Sequence, residues 1–93
     1  MRLDKYLQLS RILKQRSTAK EVCEAGNVRI ISENGDERPL KASSDVFEGT
    51  VLRIEAFNRV KLIRVTEIPL TKNVSKQRAS SLYELISEEI VES

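Results

Sequence analysis

The spacing of the apolar residues changes at Gly26, and that change constrains what the chain can build. Before it, one helical face recurs twice. Leu3, Tyr6, Leu7 and Ser10 stand at i, i+3, i+4 and i+7, and so do Ala19, Val22, Cys23 and Gly26. After it the chain becomes β-branched and roughly alternating, which predicts strands over residues 28–31, 50–56 and 60–68. Asn34-Gly35, Glu48-Gly49 and Asn58 are turn signals between them, and Pro39 argues against a central strand at that point. Thr18 followed three residues later by Glu21 has the form of a capping box that opens the second helix. Gly26 stands where a helix ends in a left-handed residue. Two helices followed by a run of strands make an α+β domain, with the helices packed on a small, mostly antiparallel sheet.

The end of the chain reads differently. Pro69 is expected to end the sheet, 69–76 to form a linker, and 77–93 to form an amphipathic, acidic helix. Ala79, Leu82, Tyr83, Leu85, Ile86 and Ile90 contain its apolar stripe. An isolated helix of this length is marginal in water, so that stripe packs on the sheet or on a partner.

Composition removes most enzyme chemistries. With 93 residues the chain suits one small domain. It has no His and one Cys, which leaves no Cys/His zinc site, no disulfide within the chain and no His base. Three Gly in all leave no glycine-rich phosphate loop. Ser43-Ser44-Asp45 reads as a turn rather than a nucleophile, and Cys23, on the apolar stripe, as a small buried hydrophobe rather than a reactive thiol. No apolar run approaches the roughly 20 residues that cross a bilayer, and the charged opening MRLDKYLQLSR cannot be a signal peptide's apolar core. The expectation is a cytoplasmic protein that is not an enzyme, with no cofactor, metal, small-molecule substrate or membrane partner.

Charge supplies the positive signal. The formal net charge is only +2, but residues 1–20 carry Arg2, Lys5, Arg11, Lys14, Arg16 and Lys20 against Asp4 alone, a local net of +5. Glu84, Glu88, Glu89 and Glu92 make the last fifteen residues a net −4. A basic head invites a polyanion, and the acidic tail is repelled by the same surface. The two Phe and two Tyr do not alternate with bases in a strand, which speaks against a base-stacking sheet and for recognition of phosphates and backbone shape. A different class of reading takes residues 1–26 as a DNA-binding helix-turn-helix. Its second helix, however, offers Lys20, Glu21 and Glu24 rather than the Asn or Gln of a base reader. An adaptor whose acidic tail helix docks a protein is compatible with the phosphate-binding reading.

The string MRLDKYLQLSRILKQRSTAKEVCEAGNVRI resembles the opening of the S-four RNA-binding domain, named after ribosomal small-subunit protein four. RLDKYL matches its first helix, SRILKQRS its basic turn and TAKEVCEAG its second helix, and the likeness extends over residues 1–68. A free-standing domain of this kind, with ASSLYELISEE in its tail, is similar to the RqcP family and to the small heat-shock ribosome-binding proteins of proteobacteria. The RqcP resemblance implies binding to large-subunit rRNA and peptidyl-tRNA on obstructed large ribosomal subunits. It also implies support, with an RqcH-like factor, of alanine tailing of the stalled chain. The heat-shock resemblance implies recycling of large subunits instead. Either implies a ribosome-associated protein, expected to be a monomer off the ribosome. The matching positions are Arg2, Asp4, Lys5, Arg11, Lys14, Arg16, Lys20 and Lys41, with Arg2 and Arg16 foremost because a guanidinium grips phosphate in a bidentate manner. Gln15 departs from a position often basic in the family, and IISENGDERPL is longer than usual, which lengthens a hairpin next to Lys41.

Overall fold

A computed structural model describes residues 1–70 and 73–91. Helix α1 spans Leu3–Leu9 and buries Leu3, Tyr6, Leu7 and Leu9, with Ser10 just beyond it also buried. Its first N–H groups have no partner within the helix, and a loop from elsewhere in the chain supplies one. The Leu3 N–H donates to the Ser44 carbonyl at 2.7 Å and the Asp4 N–H to the Ala42 carbonyl at 3.1 Å. Ser43-Ser44-Asp45 is therefore a turn, closed by the Ser44 N–H on the Lys41 carbonyl at 3.0 Å, and it holds the start of α1.

Helix α2 spans Arg16–Glu24 and begins two residues before Thr18. Gln15 is its N-cap and no side chain caps it, so the expected Thr18–Glu21 capping box does not form. The connection explains the early start. Arg11 takes a left-handed φ of 61°, and the Leu13 N–H donates back to the Leu7 carbonyl at 3.1 Å. The chain is folded tightly enough to re-enter a helix at Arg16. The far end of α2 follows expectation. Gly26 has φ +79°, its N–H donates to the Cys23 carbonyl, and the Asn27 N–H reaches the Val22 carbonyl at 3.1 Å. That pair of bonds is the Schellman closure, in which glycine takes the left-handed position without a Cβ penalty.

Among the described residues five strands follow: β1 (Val28–Ile31), β2 (Glu37–Pro39), β3 (Val51–Ala56), β4 (Arg59–Val65) and β5 (Tyr83–Ile90). They form one antiparallel sheet in the order β2-β1-β3-β4-β5. Pro39 lies on the outermost strand, where its missing N–H costs no ladder bond. Val28, Leu52, Ile54, Ile63 and Val65 point from one sheet face into the core, against Leu3, Tyr6, Leu7, Leu13, Ala19 and Cys23 from the helical side. Burying each Leu or Ile contributes roughly 1.5–3 kcal/mol. Cys23 is a free, buried thiol, and burial, with the Asp4 and Glu24 charges, pushes its pKa up to about 11.

The predicted C-terminal helix is corrected. Among the described residues of the tail, only Lys76–Ala79 is helical (α3), capped by the Ser75 hydroxyl accepting from the Arg78 N–H. Tyr83–Ile90 is instead the fifth strand, so the sheet does not end at Pro69 and the tail closes the same sheet as residues 1–68. The Tyr6 hydroxyl donates to the Leu82 carbonyl at 2.6 Å and anchors the start of β5 to α1. A β-bulge explains the misleading periodicity. Leu85 pairs with Ile63 and Ser87 with Leu62, which leaves Ile86 as an extra residue. The positions of β5 on the core side of the sheet become Tyr83, Leu85, Glu88 and Ile90, so the strict alternation that marks a strand is broken after Leu85. Residues 71–72 of the expected linker and 92–93 of the expected helix lie outside the described residues.

Candidate nucleic-acid interface

The site is built around one buried carboxylate. Asp4 sits in the first turn of α1 with its side chain only 3% exposed, a position that an ionised group occupies only when paired. Arg2 supplies a bidentate partner, with Nε and one Nη donating to the two carboxylate oxygens, each at 3.2 Å. The Lys5 N–H donates to Asp4 Oδ1 at 2.8 Å. Arg16, the first residue of α2, places its Nε 3.5 Å from Asp4 Oδ2. Burial alone would raise the Asp4 pKa. The Arg2 hydrogen bond, the Lys5 N–H and the Arg16 and Arg2 charges outweigh burial and hold it below 3.8. Two arginines thus share one carboxylate, which leaves one positive charge in excess, and each guanidinium side chain remains 49% exposed. Asp4 stands behind the cationic surface rather than on it.

The other sequence-predicted residues fall along two grooves at opposite ends of α1. In the first, Arg2 is joined by Lys20 from α2 and by Lys41 from the loop that holds the start of α1. Lys20 also lies 3.9 Å from Glu24, an exposed i,i+4 contact that contributes little. In the second groove, Arg11 and Lys14 from the basic turn face Gln8 at the end of α1. Lys5 lies one turn after Arg2 and one turn before Gln8 on a helix about 10 Å long, so it bridges the two grooves. Among the described residues, Lys5, Arg11, Lys14 and Lys41 form no ion pair.

Sequence reasoning missed Lys76 and Asn73, which line the second groove beside Arg11 and Lys14. They fall in a segment expected to be a linker, far from the basic head in sequence. The signal available was Ser75 as a cap, since a capped turn fixes the backbone at Lys76 beside the groove. Arg11 carries a further mark of function. A left-handed backbone at a helix C-terminus is glycine's position, and a bulky side chain there costs about 1–2 kcal/mol. The turn sets the Arg11 side chain beside Lys14 in the second groove.

No group of three His, Cys, Asp or Glu among the described residues is placed to hold a metal, and no described helix is long and apolar enough to cross a membrane. The geometry offers a cationic surface along α1 with a groove at each end, which suits phosphates of a folded nucleic acid.

No protein-family model matches the chain. Individual relatives do. An "RQC P-site tRNA stabilizing factor" of Halalkalibacterium halodurans is 42% identical over 89 residues, which cover 96% of this chain and 93% of the relative. Proteins of the same name from Streptococcus pneumoniae and Bacillus subtilis are 39% and 38% identical, over 99% and 96% of this chain and 97% and 95% of theirs. Among solved structures, a trimeric Vibrio cholerae heat shock protein 15 superposes with a TM-score of 0.79 at 26% identity, covering 94% of this chain and 82% of that one.

Proposed function

This chain belongs to the family of RQC P-site tRNA stabilizing factors, and from that premise we propose that it binds large-subunit rRNA and peptidyl-tRNA on obstructed large ribosomal subunits. It acts by holding the tRNA in place and performs no bond chemistry of its own. With an RqcH-like factor it supports alanine tailing of the stalled chain, in the cytoplasm. In the same reading it is a monomer off the ribosome, with Glu89 charged on the exposed β5 edge. The observation that carries this reading is the convergence of Arg2 and Arg16 on the buried Asp4, flanked by Lys20 and Lys41 at one end of α1 and by Arg11, Lys14 and Lys76 at the other. A carboxylate that fixes two half-exposed guanidinium groups reduces the ordering cost of gripping phosphate.

The test is co-sedimentation of the full chain with large subunits that carry peptidyl-tRNA, at moderate salt. Arg16→Ala should lower the bound fraction severalfold, and an unchanged fraction would remove the assigned face. The likeness to heat shock protein 15 favours a second reading, recycling of free large subunits. Recovery on these subunits with no effect on alanine tailing by an RqcH-like factor would select it. Preference for duplex DNA over structured rRNA in a competition assay would overturn both.

A further inference from the structure

The hairpin between β3 and β4 turns in two residues, because Ala56 pairs with Arg59. Those residues are Phe57 and Asn58, with φ of 53° and 61°. Positive φ at both positions is the signature of a type I′ turn, where Asn-Gly is the usual occupant. Asn at the second position is ordinary. A bulky aromatic at the first is a steric outlier, and its ring is 75% exposed. The chain thus places its most exposed aromatic where the backbone disfavours it, with three-quarters of the residue open to solvent.

Phe57 stands beside a groove and two cations. Its ring borders a shallow groove shared with Ile12, Ala56, Arg59 and Lys61. Ile12 belongs to the basic turn, so that turn serves two grooves at once: Arg11 and Lys14 face one, while Ile12 and Leu13 face this one. Arg59 and Lys61 share a single carboxylate, Glu88, at 3.5 and 3.7 Å, which leaves one positive charge in excess beside the ring. The other exposed phenylalanine, Phe47, differs. It has no positive φ, its N–H bonds the Thr50 hydroxyl, and its neighbour in sequence is Glu48.

We propose that Phe57 is a stacking post for an unpaired nucleobase of the bound RNA, with Arg59 and Lys61 receiving the adjoining phosphates. The proposal rests on the RNA-binding reading above and extends that interface from the basic turn onto the β3–β4 hairpin. An exposed ring with cations beside it binds a splayed base by its π-face and the backbone by charge, a combination suited to loops and bulges rather than continuous duplex. It differs from a base-stacking sheet because a single ring at a turn carries it.

The experiment uses the full chain and two RNAs with the same stem. One is a stem-loop with 2-aminopurine in the loop, the other a blunt duplex. Phe57→Asn tolerates the left-handed backbone and removes the ring, while Phe57→Trp keeps an aromatic face. Stacking on one ring changes affinity by roughly 5- to 150-fold. Phe57→Asn should therefore weaken stem-loop binding at least fivefold, leave duplex binding within twofold and abolish 2-aminopurine quenching. Phe57→Trp should preserve both readouts, and Phe47→Ala should change neither. Equal affinity of Phe57→Asn for the stem-loop, or equal losses on both RNAs, overturns the proposal. Intact RNA binding with reduced recovery on large subunits also overturns it, by assigning the ring to a protein surface. Arg16→Ala separates the layers. If it weakens both RNAs while Phe57→Asn weakens neither, the interface stands and the stacking post falls. If the wild-type chain binds neither RNA, both fall.

Discussion

Asp4→Asn separates two accounts of the basic surface that otherwise predict the same binding. If only total charge matters, removing an acid from a chain of net charge +2 should tighten RNA binding. If the surface works because Asp4 preorganises it, binding should weaken. The structure sets the size of the effect. Arg2 makes two bonds of 3.2 Å to Asp4, and Arg16 lies 3.5 Å away. Released from the carboxylate, both half-exposed side chains must be ordered at binding, at about 0.5–1.5 kcal/mol each. Affinity should fall roughly tenfold despite the added positive charge. Stability should fall as well. Asparagine keeps the shape and one acceptor, but the charge-assisted bonds, worth about 1.5–3 kcal/mol when intact, are weakened. A net loss of about 2 kcal/mol lowers Tm by about 10 °C in a domain of this size. The pH dependence supplies an internal check. The folded Asp4 pKa is held below 3.8, so its contribution is fully present above the unfolded value and is lost as pH falls through the folded one. The gap in Tm between wild type and variant should be widest near neutrality and close in acid. Fluorescence anisotropy at fixed salt and thermal melts across the acid range measure all three. Tighter RNA binding with an unchanged Tm would refute the preorganised site.

Other outcomes follow from single residues. Arg11→Gly relieves a strain of about 1–2 kcal/mol and loses about 0.5–1 kcal/mol to the entropy of the unfolded chain, so Tm should hold or rise slightly while RNA binding weakens. A variant both less stable and fully active would contradict the role assigned to that guanidinium. With about five phosphate contacts, the logarithm of the binding constant should fall against the logarithm of salt with a slope of roughly −4, and Lys14→Ala should reduce that slope by about 1. A slope near zero would exclude the phosphate mechanism. Cys23, buried with its pKa near 11, should resist thiol reagents in the native state and react at the rate of global unfolding, as followed by mass spectrometry in denaturant. Rapid labelling of native protein would contradict its burial.

How far the sequence speaks for the fold depends on how much burial enforces its pattern. The Leu3, Tyr6, Leu7, Ser10 face of α1 was legible because each of these residues is buried and a misplaced polar group would be costly. Gly26 and the Asn34-Gly35 turn were legible because positive φ restricts the residue choice sharply. β5 was not, for two reasons. It is an edge strand with Leu85, Ile86 and Ile90 exposed, so no alternation is enforced. The bulge opposite Leu62 and Ile63 then shifts what alternation remains by one residue. Pairing with β4 decides the conformation there, through a ladder that no local window contains. The start of α2 escaped for a related reason, since the tight turn at Arg11 outweighs the cap that Thr18 offers.

The candidate site was legible in its ingredients and not in its arrangement. Charge segregation marks residues 1–20 as the basic head, the kind of surface that invites a polyanion. What composition cannot supply is that Asp4, the single acid among them, organises the patch instead of diluting it. That depends on the Ala42 and Ser44 carbonyls fixing the start of α1, and on α2 opening at Arg16 instead of Thr18. A helix begun two residues later would not present Arg16 as its first residue beside Asp4. The departure from the expected cap and the convergence of the two arginines are therefore one event. The turn at Arg11 stores about 1–2 kcal/mol of backbone strain, starts α2 early, and brings a second guanidinium to a carboxylate that Arg2 already holds.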